Sequence, residues 1–468
     1  MKNYTKALIK LQVTLLYIMP AVLFFSYYPV IKLGASDSMN FELSLPLIWL
    51  GLFALVSLLL LPKTFRRAHL QVWQIVLLIL FPVYLVLSLF WSSNLLRGLL
   101  TAGVSLCLIL SFFTIPYLSV NQKSRQTILK VFLISSAAVA AFCWIQSILD
   151  AAGLPTTHTL ACAGCTTNTF GFPHPNGFAI EPQFMGNLLL APTLLALYLT
   201  IHFSRSRTKF FALTLFLSTT LFFTFSRGAI YAFIAANLVI FVFEILRRNR
   251  AIFLLPTIFI SALITCLLAQ GAFAALSPTN DNFWSGIAKS IHQLSLGKID
   301  FRPAENVVEN TTESSAEPSI SPESISSQQS HQAVFTGYVA ESTDTRLALT
   351  SASLKTWSKS PTTMLIGVGI GGAGIAMYQA GEIDSPKEIT QNTYTEVLLE
   401  LGLIGTVLLI ISAVTFILAI SSRFNFKTSA TAYLLALILS YALSMFFFSG
   451  LPNALHIFLL PSLALLFI

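Results

Sequence analysis

Charge is scarce in this chain. Asp, Glu, Lys and Arg together make up 10% of its 468 residues, against about 25% in a soluble domain. That excludes an ordinary solvated globular surface. Cysteine is also sparse, with five residues, so a disulfide-dense scaffold is excluded. Cys162 and Cys165 form the one close pair, spaced for a local disulfide. Cys107, Cys143 and Cys266 lie inside apolar runs and read as packing residues. No second Cys pair or His cluster accompanies them, and the first outer loop holds only Asp37 and nearby Glu42 as acids. Metal-dependent or cofactor chemistry therefore has no support in the sequence, and none is expected. The net charge of +8 invites a nucleic-acid reading. The basic residues come in short clusters between apolar runs, so that reading is set aside.

What is present is apolar sequence: 55% hydrophobic residues and a mean hydropathy of +0.77. Runs of about 20 apolar residues each suit membrane helices. About twelve are expected, near 12–32, 43–61, 72–91, 98–118, 129–149, 183–203, 210–225, 229–246, 251–270, 397–420, 429–448 and 454–468. The fold class is thus an all-α polytopic membrane protein, seated in a lipid bilayer. Every second connection is basic: Lys63/Arg66/Arg67, Lys123/Arg125/Lys130, Arg205/Arg207/Lys209, Arg247/Arg248/Arg250 and Arg423/Lys427. The positive-inside rule then puts both termini in the cytoplasm. Lys2, Lys6 and Lys10 precede the first span with no small-residue cleavage site after it, which reads as an uncleaved first span.

Three units follow: helices over 1–270, a large outer connection over 271–396, and helices over 397–468. Between Pro303 and Thr345 there is no Lys or Arg. The stretch 303–335 is rich in Ser, Glu, Gln and Pro and reads as a disordered insert. Thr345 to Trp357 has apolar spacing that suits a short helix.

Polar chemistry gathers at the outer ends of the spans. In Phe223-Thr-Phe-Ser-Arg-Gly-Ala229, Ser226, Arg227 and Gly228 sit in a tight break between two apolar runs. Arginine offers a planar, permanently charged fork suited to a diphosphate; the bland alternative is a snorkelling interfacial arginine. Arg346 lies in Asp344-Thr-Arg-Leu-Ala-Leu349 and could equally be a solvated helix face. It gains interest from the glycine run Gly367-Val-Gly-Ile-Gly-Gly-Ala-Gly374. Gly367-x-Gly369-x-x-Gly372 is formally a dinucleotide fingerprint, but it lacks a βαβ context. Gly367 and Gly369 would instead let backbone approach a substrate or pack closely. Gln391 and Asn392 open the tenth span, where a helix N-terminus favours anions. Thr393-x-x-Glu396 also fits a capping box. His174 and Glu181 precede the sixth span; His174 is open to an ordinary loop role, and Glu181-Pro182 to a helix start. Arg97 reads as an interfacial anchor.

These segments together resemble the O-antigen ligase and O-antigen polymerase superfamily. The resemblance rests on Thr224-Phe-Ser-Arg-Gly-Ala-Ile230, on Arg346 ahead of Gly367-Val-Gly-Ile-Gly371, and on Gln391-Asn-Thr-Tyr-x-Glu-x5-Gly402-Leu-Ile-Gly405. It implies a GT-C-type membrane glycosyltransferase of the bacterial inner membrane, acting on the periplasmic side without a metal. Such enzymes move a glycan from undecaprenyl diphosphate to a sugar of the lipid A core (ligases) or to another lipid-linked repeat unit (polymerases). By resemblance Arg227 and Arg346 neutralise the diphosphate leaving group. Ligases carry histidine where this chain has Gln391, and glutamine cannot act as a general base. This favours a polymerase, with Glu396, Glu181 and His174 as candidate bases. A lipid-glycan flippase is the competing class. It would call for ionisable residues deep in the spans, or for paired broken helices. A structural membrane protein would leave the arginine-bearing mouths without a role.

Overall fold

The computed structural model describes residues 2–35, 40–154, 174–277, 282–295, 298–299, 330–421, 428–449, 451 and 454–467. Among these, nine helices are long and apolar enough to cross a membrane. Three further helices stand where spans were expected but are shorter: Arg207–Phe223, Ser429–Ser444 and Leu455–Leu465. A helix flanked by other helices need not by itself cover the hydrocarbon thickness. Cys162 and Cys165, the 303–329 part of the expected insert, and Arg423/Lys427 lie outside the described residues.

The Pro182–His202 helix is the centre of the bundle. It is buried over 83% of its span window, whereas Val72–Trp91 is buried over 17% and presents most of its apolar surface outward. An all-round apolar sequence with no polar face dictates such a central place. Arg207–Phe223 packs along it, and Ser429–Ser444 lies against both it and Arg227–Leu246. Gly186 permits a close approach: a Cβ there would lie 2.8 Å from Thr224 Oγ1 and 2.9 Å from Ala229 Cβ.

Three features depart from the sequence expectation. A β-hairpin, Val30–Ala35 with Asn40–Ser44, pairs antiparallel beyond the first helix, so the bundle is helical but the fold is not wholly so. The helix expected near 345–357 runs over Ser330–Ser358 and takes in residues 330–335, the end of the expected insert. An unforecast helix, Phe283–Leu294, folds back on Leu254–Leu276. Gly286 makes that approach close, since a Cβ would sit 2.6 Å from the Gln270 carbonyl.

The glycine run finds its explanation in a broken helix. Thr393–Ser421 is interrupted at Gly402, whose φ is 64°. A break in an apolar helix leaves carbonyls without partners, which is costly away from water. Here Val368 N–H donates to the Leu399 carbonyl and Gly369 N–H to the Glu400 carbonyl, both at 2.9 Å. The Tyr84 hydroxyl donates to the Leu401 carbonyl at 2.9 Å. Gly367 and Gly369 have φ of 74° and 86°. A Cβ on Gly367 would meet the Glu400 carbonyl oxygen at 2.3 Å, and one on Gly369 would meet Ser92 Cα at 2.3 Å. Close packing of protein on protein therefore accounts for glycine at both positions.

Connections expected on the outer side contact one another in pairs. Ser92 Oγ donates to the Ile370 carbonyl at 2.8 Å, and the backbone N–H groups of Tyr27 and Tyr28 donate to the Phe178 carbonyl. Beside Arg247 and Arg248, the fully buried Glu244 carboxylate meets His202 Nε2 at 3.1 Å and accepts from Asn249 Nδ2 at 2.8 Å.

Candidate functional site

The break before Arg227 is built locally. Phe225 takes a left-handed φ of 46°. Ser226 then caps the Arg227–Leu246 helix, its hydroxyl accepting from Ala229 N–H at 3.4 Å. The Ser226 hydroxyl thus has a structural task as well as its candidate role. Arg227 opens the helix half-buried, with Gly228 beside it. A Cβ on Gly228 would lie 3.0 Å from Phe447 Cβ, so the 445–449 turn rests directly on this helix start.

The same turn reaches the second arginine. Arg346 Nη2 donates to Gln183 Oε1 at 2.8 Å. The Gln183 amide nitrogen in turn donates to the Phe447 carbonyl at 2.8 Å. Gln183, in the first turn of Pro182–His202, thereby ties the Ser330–Ser358 helix to the bundle. Glu181, one residue before that helix, makes no side-chain capping bond, so helix capping does not account for it. Its side chain reaches the surface from densely packed surroundings. Burial pushes its carboxyl above the usual range, and the Arg346 charge opposes that shift.

The third candidate meets the turn from the other side. Gln391 N–H donates to Ser449 Oγ at 3.1 Å. Gln391 is half-buried and holds a φ of 56°, a conformation uncommon outside glycine and frequent at working sites. The helix start differs from the expected capping box. Asn392, not Thr393, is the cap: its Oδ1 accepts from Tyr394 N–H at 3.0 Å and from Thr395 N–H at 3.3 Å. Thr393 instead anchors the turn, its N–H reaching the Met445 and Phe448 carbonyls and its hydroxyl donating to the Phe448 carbonyl at 2.8 Å.

Arg227, Arg346 and Gln391 therefore each stand within one or two links of residues 445–449. Gln183 and that turn escaped sequence reasoning, because a lone glutamine and a Phe-Phe-Phe-Ser run carry no motif. The remaining candidates have the following surroundings. Gly367 and Gly369 pack over the Gly402 break. His174 is buried in a segment held by neighbours: Gln146 donates to Asn176 Oδ1 at 2.7 Å, and Gln146 Oε1 accepts from Gly177 N–H at 3.0 Å. Arg97 is half-buried, with its charge acting on buried Glu400. It is thus tied into the protein beyond the anchoring role expected of it.

Residues 210–410 match the model of the family described as O-antigen ligase. The match agrees with the likeness of this segment to the O-antigen ligase and polymerase superfamily. No curated protein matches the chain at a significant level. Within the O-antigen ligase segment lie Arg227, Arg346, the glycine run, Gln391 and the Gly402 break. Gln183 and the 445–449 turn flank it on either side.

Proposed function

We propose that this protein is a membrane glycosyltransferase that elongates a lipid-linked glycan on the outer face of the bacterial inner membrane. Its donor is a glycan on undecaprenyl diphosphate, and its acceptor is a second lipid-linked repeat unit. The acceptor hydroxyl attacks the anomeric carbon of the donor, the bond to the diphosphate breaks, and undecaprenyl diphosphate departs. Negative charge grows on the diphosphate as that bond breaks, and Arg227 and Arg346 are the groups assigned to stabilise it. The hydroxyl proton needs an acceptor, for which Glu181 is the best placed candidate, since it lies within electrostatic reach of Arg346. Gln391 orients the reacting groups by hydrogen bonding rather than by taking a proton.

The observation that carries this reading is the Arg346–Gln183–Phe447 chain, which draws an arginine of the long connection to the turn seated on Gly228. Two cations held by separate backbone segments around one turn suit a divalent anion. The O-antigen ligase description of the matched family supports a second reading, transfer to the lipid A core. Gln391, in place of the histidine of ligases, favours polymerisation. Reconstituted protein given lipid-linked repeat units and, separately, lipid A core should lengthen the lipid-linked chains. Efficient transfer to the core without chain lengthening would overturn the polymerase reading.

A further inference from the structure

We propose that Gln183 is the positioning residue for Arg346, fixing its guanidinium against the diphosphate through an uncharged amide; this rests on the reading above. The Gln183 side chain is 8% exposed. Both edges of its amide are engaged at 2.8 Å, the oxygen by Arg346 and the nitrogen by the Phe447 carbonyl. A flipped amide would set donor against donor and acceptor against acceptor, so the network admits one orientation. The neutral partner has a specific consequence. A carboxylate here would pair with the guanidinium and cancel the charge the anion needs. An amide takes one N–H of the fork, restricts the rotamers of a long side chain, and adds no negative charge to that of Glu181, which already acts on Arg346. The bonded carbonyl belongs to Phe447, whose side chain lies over Gly228 next to Arg227. Gln183 thus references one arginine to the element on which the other is mounted.

Binding of undecaprenyl diphosphate to the full-length protein in nanodiscs tests this. The proteins compared are wild type, Gln183→Met, Gln183→Glu, Arg346→Ala and the double variant Gln183→Met/Arg346→Ala. Methionine fills a similar volume without the polar edge. Glutamate keeps an acceptor for Arg346 and supplies a second folded protein. Gln183→Met should weaken binding about tenfold, the scale of one hydrogen bond to a charged group. Gln183→Glu should weaken it at least as much. In the Arg346→Ala background, Gln183→Met should add nothing further, because a residue acting through Arg346 has no effect once Arg346 is gone. Losses that add in the double variant, or wild-type binding by Gln183→Met or Gln183→Glu, would overturn the proposal. Undiminished binding by Arg346→Ala is a different result, since it would remove the diphosphate site itself.

Discussion

The Tyr84 hydroxyl donates to the Leu401 carbonyl at 2.9 Å and lies 3.2 Å from the Ile366 carbonyl. One side chain from the third helix thus serves both the broken span and the loop that covers the break. Tyr84→Phe should remove the hydrogen bond to the Leu401 carbonyl and destabilise the protein by about 1 kcal/mol. Thermal unfolding in detergent measures it, and an unchanged midpoint would mean that the break is satisfied in another way.

Gly402→Ala should be more harmful. It forces a left-handed φ of 64° on a residue with a Cβ, and that Cβ would lie 2.4 Å from the Leu365 carbonyl oxygen. A loss of more than ~1 kcal/mol is expected, beyond the cost of the backbone conformation alone. Gly103→Ala is the control, because its Cβ would meet nothing within 4 Å. Equal melting temperatures for the two variants would contradict this account of the glycine run.

Arg227→Ala and Arg346→Ala should each abolish glycan transfer while membrane expression stays normal. Lysine at either position should restore only part, since a point charge cannot reproduce the guanidinium fork. Transfer assays on membranes with matched protein amounts decide it; full activity in either alanine variant would remove that arginine from the reaction.

Gln391→Glu should be strongly impaired, because it would set a negative charge near the proposed diphosphate site. Gln391→His should retain transfer, since imidazole also donates a hydrogen bond. The reverse order of activities would argue that Gln391 does not face the anion.

Glu181 gives a pH signature. Burial raises its folded pKa above the unfolded value, with Arg346 opposing. The folded state therefore holds the proton more tightly, and the stability from the neutral carboxyl is complete below the ordinary carboxylate pKa. It is lost as pH rises through the raised folded value. Gln cannot titrate, so Glu181→Gln should flatten this part of the stability profile. Melting curves at a series of pH values test it; identical profiles would show that Glu181 titrates alike in both states.

Sequence reading captured the apolar helices because about 20 residues of uninterrupted hydrophobicity carry their own signal. It also found the break at Ser226-Arg227 and the helix start at Pro182, both set by local chemistry. It placed the tenth helix cap one residue late, since Thr393 satisfies the same pattern as Asn392 until the Met445 and Phe448 carbonyls claim it. The β-hairpin at residues 30–44 was missed because it is a short element between two apolar spans. Gln183 was missed for a deeper reason: its partners are 163 and 264 residues away in sequence. No window along the chain contains that relationship.

The turn at 445–449 also bears on how such proteins can be recombined. It lies beyond residue 410, where the family match ends, and Gln183 lies before residue 210, where it begins. A chimera that exchanges only the matched segment would import both arginines and Gln391 yet seat them on a foreign glutamine position and a foreign turn. Exchanges bounded instead at about 174 and 454 would carry the arginines together with their mounting, and should preserve donor preference where the shorter exchange loses it.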